Sequence, residues 1–413
     1  MLVESSPAAD TRASEQGDSS SLRQWLSVGA VAIGAFAFVT TEFLPVGLLP
    51  HVAKELDVLP GTAGLMVTTP GVIAALSAPG LMLGAGRMDR RHVFLLLTAL
   101  LLASNLLSAF APNFAVMLVG RALLGAALGG FWTLATAAAG RLVQPKDAAR
   151  ATAMILTGVT CATVIGVPLG TFIAGFSSWR FSFMATGVLV AVALVAQLLL
   201  VPSLPSSAAL RLADLTELLR RPHARRSMLM VGLVFGAHFC SYTYITPFLL
   251  HNASFGMSTI TWLLLGFGVI GFFSNFAVSS TVNRNLKASV AVMVSLMMFA
   301  LLSMPLLRHS QLAVTVDVLA WGISFGALPL CFSVWIQRAT PDLPEAGSAL
   351  FVSIIQVAIA VGSLVGGTIV DSIGIPPDFL LGSALALLGL AALASFGRSP
   401  VAKVDCDCLA TPE

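Results

Sequence analysis

Charge is what this chain has least of. Of its 413 residues only 10% are Asp, Glu, Lys or Arg, where a soluble globular chain carries about 25%. A water-soluble protein of this length would leave its surface uncovered, so soluble domains are excluded, as are disordered and coiled-coil chains. Cysteine is sparse, with five residues. Cys161, Cys240 and Cys331 stand singly in apolar segments, where a thiol behaves as a small hydrophobe. Cys406 and Cys408 form a C-x-C near the C-terminus, and two thiolates without further ligands make a weak metal site. Disulfide-scaffold and metal-centre readings therefore fall away. Phosphate-loop and H-E-x-x-H motifs are absent, and no intramembrane Asp pair offers a protease dyad. The residues give no basis for direct ATP driving or for an enzyme, and no cofactor is expected.

What is present is apolar length. Hydrophobic residues make up 57% of the chain and the mean hydropathy is +0.92. A helix needs roughly 20 apolar residues to cross a bilayer. Twelve such segments can be drawn, at 25–49, 62–86, 92–111, 114–140, 150–176, 181–201, 228–250, 258–280, 288–307, 312–336, 347–370 and 378–396. The runs are too long and too uniform for membrane strands. The expected fold is an all-α membrane protein of twelve transmembrane helices in two pseudo-symmetric six-helix bundles.

Basic residues orient it. Of the 22 Lys and Arg, 18 lie in the tails or beside every second connection; the other connections hold Lys54, Arg180 and Arg308, and Arg121 lies inside a span. The positive-inside rule puts both tails and the basic connections in the cytoplasm. This topology accounts for the basic residues, so no nucleic-acid surface is indicated. Residues 1–23 lack the pattern of a signal peptide and read as a disordered cytoplasmic tail, as do residues 398–413. The longest connection, 202–227, separates bundles at 24–201 and 228–397. Its stretch LADLTELL fits either a surface helix at the bilayer interface or a plain flexible linker.

The halves carry a weak repeat. F-V-T-T-E-F-L-P (Phe38 to Pro45) and C-S-Y-T-Y-I-T-P (Cys240 to Pro247) align on their prolines, setting Glu42 opposite Tyr244 and Thr41 opposite Thr243. Gly170-Thr171 likewise answers Gly367-Thr368. Duplicated halves are a common transporter architecture.

A charge inside a span is costly and normally faces a protein-lined cavity. Glu42 reads as the only acid deep within an apolar span, about 12 Å in from Pro50 at 1.5 Å per residue. Arg121 lies at comparable depth in the fourth span. Three roles fit Glu42: a proton carrier, since desolvation makes a carboxyl hold its proton more tightly; a static ion pair with Arg121; or a contact to a cationic solute. Asp317 and Asp371, near span ends, suit solvated or helix-end roles. His238, Tyr242 and Tyr244 in the seventh span, Gln356 in the eleventh, and Trp132 and Trp321 in the fourth and tenth are candidates to stack on and hydrogen-bond a planar or hydroxylated small molecule, or else to serve as interhelical bonds. Gly158, Gly166, Pro168 and Gly170 in the fifth span favour close helix contacts and bends.

These segments carry a resemblance. T-T-E-F-L-P-V-G-L-L-P (Thr40 to Pro50), G-R-A-L-L-G-A-A-L-G-G-F-W (Gly120 to Trp132), G-V-P-L-G-T (Gly166 to Thr171), W-R-F-S-F (Trp179 to Phe183) and Y-I-T-P-F-L (Tyr244 to Leu249) resemble the major facilitator superfamily. Within it, the drug:proton antiporter branch and its bacterial purine ribonucleoside and sugar (arabinose-type) efflux proteins are the most similar group. The resemblance implies that Arg121 and Gly125 stand in the fourth-span R-x-x-Q-G motif, with Leu124 replacing the glutamine, and that Arg121 takes part in proton coupling. Gly166, Pro168 and Gly170 approximate the G-P-x-x-G-G antiporter motif. Arg87, Asp89, Arg90 and Arg91 retain part of the G-x-L-A-D-R-x-G-R-R loop, whose aspartate is replaced by Gly86. The family's acidic residue in span one corresponds to Glu42.

The expected function is export of a small solute, a purine nucleoside or sugar-like compound, in exchange for protons by alternating access. Chloramphenicol-type multidrug efflux is an alternative, and a non-transporting sensor or scaffold another. The expected partners are the solute, protons and the lipid of a bacterial cytoplasmic membrane, with the chain working as a monomer.

Overall fold

The computed structural model describes residues 20–84, 88–204, 212–282 and 284–396. Twelve long helices take the places of the twelve apolar segments: α1 Leu22–Glu55, α2 Leu65–Gly84, α3 Arg90–Ala109, α4 Phe114–Leu142, α5 Ala148–Phe176, α6 Trp179–Leu200, α7 Pro222–Tyr242, α8 Met257–Val282, α9 Leu286–Leu306, α10 Gln311–Ala339, α11 Pro344–Ser372 and α12 Ile375–Ala394. No strand occurs among the described residues. Among the described residues ten helices are long and apolar enough to cross a membrane, or eleven when α7 is joined to Ile245–Asn252. The linker holds a nine-residue helix, Leu212–Arg220.

Side-chain caps set several boundaries. Ser21 and Gln24 form a capping box at the start of α1, while Asn113, Ser178, Asn285 and Ser310 accept from the first-turn amides of α4, α6, α9 and α10. The turn into α12 needs glycine, since Gly374 has φ 114°. After Tyr242 the seventh span bends by 43° into Ile245–Asn252, where Pro247 supplies no amide and Phe248–Asn252 winds as a π-turn.

Helix packing repeats between the halves. In the first, α1 pairs with α5, α2 with α4 and α3 with α6; in the second, α7 pairs with α11, α8 with α10 and α9 with α12. The halves meet along α2–α11 and α5–α8. Large apolar side chains such as Phe176, Leu199, Phe273, Phe276 and Leu387 point outward, more than half exposed. So much exposed apolar surface suits lipid and not water.

Candidate functional site

Arg121 of α4 is completely buried and grips the backbone of two neighbouring helices. Its Nε donates to Met66 O at 2.7 Å, Nη1 to Thr41 O at 2.7 Å and Nη2 to Glu42 O at 2.9 Å. Carbonyls of a helix interior are normally taken by that helix; Pro45 has no amide to offer Thr41 O, which leaves it free for the guanidinium. The Thr41 hydroxyl donates to Ala37 O and accepts from Asn105 Nδ2 at 3.1 Å. Thr243, opposite Thr41 in the repeat, makes the same bond to Phe239 O.

Glu42 is 4% exposed, and its carboxylate accepts from Gln356 Nε2 of α11 at 3.3 Å. This bond joins the two halves at mid-span. A direct ion pair, one of the three roles open to Glu42, is not formed: Arg121 meets the backbone oxygen of Glu42, and its charge reaches the carboxylate only through space. The other Gln356 oxygen, Oε1, is buried without a protein partner.

One residue on, Phe43 lines a cavity of about 190 Å³ between the halves, together with Thr160 and Thr163 of α5, His238, Phe239 and Tyr242 of α7, Phe267 and Asn275 of α8, and Phe325 of α10. Glu42 itself does not line it. The His238 ring stacks on Phe325 at 3.3 Å and on Tyr242 at 4.7 Å, and Tyr242 stacks on Phe267 at 5.1 Å. Trp321 stands behind them, fully buried, donating to His238 Nδ1 at 3.1 Å. A larger hollow of about 910 Å³ lies between α1, α5 and α6, lined by Trp25, Arg150 and Met154, remote from these groups.

The structure thus gathers His238, Tyr242 and Trp321 in one aromatic cluster and places Gln356 beside Glu42. It separates two other candidates from the cavity. Trp132 packs edge-on to Phe131 at 6.0 Å in the core of the first half. Tyr244 turns away, its hydroxyl donating to Ser363 O at 2.8 Å with Gly61 O 3.3 Å off. Residues two apart on a helix already point to nearly opposite sides, and the 43° break after Tyr242 adds to that divergence.

Glu42 is also not the only deeply buried acid, a correction to the sequence reading. Asp378, in the first turn of α12, is 0% exposed; it accepts from Cys240 Sγ at 2.8 Å, and its second oxygen has no partner. In the sequence it stands where a helix-end carboxylate is ordinary. Phe239, Phe267 and Phe325 were missed as well, because an apolar ring in an apolar segment carries no signal.

The motif glycines sit at helix crossings. A Cβ on Gly125 would lie 2.5 Å from Pro70 O, one on Gly158 2.3 Å from Ala32 O, and one on Gly170 2.2 Å from Leu44 Cδ1. Gly166 approaches Thr40, and Pro168 lies within α5. In the other half Gly367, opposite Gly170 in the repeat, packs on Tyr244, which stands opposite Glu42 and not opposite Leu44. Arg87 and Gly86 lie outside the described residues. Asp89 caps α3 by accepting from Arg91 N, and it also accepts from the Ser203 hydroxyl and from Leu204 N at 2.8 Å. The Ser203 bond, first among these, holds its carboxyl below the usual range. Arg90 N donates to Leu204 O, and Arg91 Nη2 to Leu198 O. These bonds tie the α2–α3 loop to the start of the linker.

Known proteins place this architecture. The profile of the Major Facilitator Superfamily matches residues 31–352. The purine ribonucleoside efflux pump NepI of Escherichia coli is 32% identical over 364 residues, covering 88% of this chain and 92% of that protein. Its counterpart in Salmonella paratyphi B is 33% identical over the same length. Among solved structures, the nucleoside transporter NupG superposes with a TM-score of 0.73 at 14% identity, over 90% of this chain and 100% of that one. The human organic anion transporter MFSD10 gives 0.67 at 17% identity, over 90% and 99%. With a family match across most of its length and a relative of this identity, the chain belongs to the major facilitator superfamily and is a multi-pass membrane transporter.

Proposed function

We propose that this transporter exports a small solute of the purine nucleoside class from the cytoplasm in exchange for protons, and that Glu42 carries the proton. The observation that carries the reading is the Glu42–Gln356 bond, a buried carboxylate held between the two halves that must move. The Gln356 amide can serve both protonation states: Nε2–H donates to a carboxylate, and the unpartnered Oε1 can accept from a carboxylic acid. A proton on Glu42 removes its attraction to Arg121, leaving the guanidinium on the Thr41, Glu42 and Met66 carbonyls. Loss of the proton restores that pull, so Arg121 competes with Gln356 for the carboxylate and biases the halves toward the other arrangement.

The basic connections face the cytoplasm in this reading. The cavity walls then belong to the cytoplasmic parts of α5, α8 and α10, and the bonds of Asp371, Tyr244 and Ser363 close the outer side. Solute enters from the cytoplasm, stacks among the rings, and leaves outward once the halves rock. Each inward proton adds about 2.3 kcal/mol per 100 mV of membrane potential, enough to drive a neutral solute uphill. The substrate class follows the function of the NepI relatives, purine ribonucleoside efflux, and the stacked rings of the cavity. The largely apolar walls (Phe43, Phe239, Phe267, Phe325) equally suit a chloramphenicol-type drug, and uptake of both solutes into inverted vesicles separates the two readings. Glu42→Gln is expected to insert normally and to lose transport driven by a pH gradient in proteoliposomes. Unchanged pH-driven transport removes Glu42 from the cycle.

A further inference from the structure

We infer that His238 reads the transported solute as a fixed hydrogen-bond donor, selecting planar heterocycles that present an in-plane acceptor such as a ring nitrogen or carbonyl oxygen. The inference rests on the solute reading above and adds to it the polarity of the site.

An indole N–H can only donate. Trp321 Nε1 lies 3.1 Å from His238 Nδ1, so Nδ1 must present its lone pair there. A neutral imidazole bonded in this way carries its hydrogen on Nε2, the tautomer being assigned from the hydrogen bond. That Nε2 is buried and has no protein partner. Phe325 and Tyr242 cover the two faces of the ring, and Trp321 takes the Nδ1 edge. Phe239 stands edge-on to the same ring at 4.7 Å, and His238 lines the cavity, so Nε2–H is the one hydrogen-bonding atom of the ring left for a solute there.

Other donors around the cavity are committed or mobile. Thr160 and Thr163 spend their hydroxyl hydrogens on Leu156 O and Thr160 O, and the Tyr242 hydroxyl rotates. Asn275 Nδ2 gives one of its two hydrogens to Gly326 O, and the His238 donor is held in direction by a tryptophan that is itself fully buried. A ligand with an acceptor in its ring plane satisfies the N–H while its faces meet Phe239, Phe267 and Tyr242. An apolar ring of the same shape strands it, which is how a site of this kind rejects a close analogue.

Titration of purified full-length protein with inosine tests this. His238→Phe keeps the stack and removes the donor, and inosine is expected to bind about tenfold more weakly, the equivalent of one hydrogen bond. His238→Gln returns a donor and is expected to recover part of the loss. Equal affinity of wild type and His238→Phe overturns the donor assignment and leaves the nucleoside reading standing. A wild type that does not bind inosine overturns the nucleoside reading; the same series with chloramphenicol then decides the donor question by the same comparison. Nitrogen-15 spectra of histidine-labelled protein, with His238 assigned by difference from His238→Gln, need no ligand. A single Nε2–H tautomer is expected in the wild type and a mixture in Trp321→Phe. An Nδ1–H signal for His238 in the wild type overturns the proposal.

Discussion

Asp371 spends its carboxylate on the other half of the molecule. It accepts from Gly61 N at 2.6 Å, Thr62 N at 2.8 Å and the Thr62 hydroxyl at 2.9 Å. Ser363 reaches Gly64 O close by. The two glycines allow this approach, since a Cβ on Gly61 would lie 2.0 Å from Gly367 O and one on Gly64 1.9 Å from the Tyr244 hydroxyl oxygen. Asp371→Asn loses charge and acceptor capacity together, so the Gly61 and Thr62 amides are expected to exchange hydrogen for deuterium faster, with amides in α9 unchanged. Equal exchange rates would show that the carboxylate does not hold this end shut. A helix-end role was legible for Asp371 in the sequence. Its partners stand 309 and 310 positions away, and nothing local announces them.

Among elements, α5 shows how composition becomes contact. Gly158 and Gly166 meet the backbone of α1 and Gly170 meets the Leu44 side chain, whereas Gly175 has nothing within 4 Å of its Cβ direction. Gly158→Ala is expected to push α1 from α5 and to lower stability by about 1–3 kcal/mol, the usual cost of overpacking. Gly175→Ala is expected to be neutral within about 0.5 kcal/mol. Thermal unfolding in detergent compares them, and equal melting temperatures would refute the crossing argument. The span pattern was readable because lipid demands long apolar helices. Lengths were less so: α1 runs over Leu22–Glu55, beyond the expected 25–49, because its ends are polar residues packed or capped outside the oil. Pro247 served the sequence reading only in aligning the repeat, and the fold showed the 43° bend beside it.

For the whole molecule, transport by rocking requires α5 near Thr171 and α8 near Thr261 to separate. Thr171 and Thr261 bring their hydroxyl oxygens within 3.2 Å there. Cysteines at both positions, oxidised to a disulfide, are expected to stop transport, and a reductant is expected to restore it. Transport that proceeds in the bridged protein would exclude motion at this contact. The sequence by itself determined the solvent of this protein, the apolar spans, the charge asymmetry of its two ends and the duplicated halves, since each is a property of composition along the chain. It also singled out Glu42, because a carboxylate among apolar residues stands out locally. Tertiary structure alone decided that Arg121 holds backbone carbonyls instead of that carboxylate, that Gln356 of the opposite half meets it, and that Asp378 is buried. Those facts depend on which helix faces carry residues far apart in the chain to within a few ångströms, and helix faces are chosen by packing.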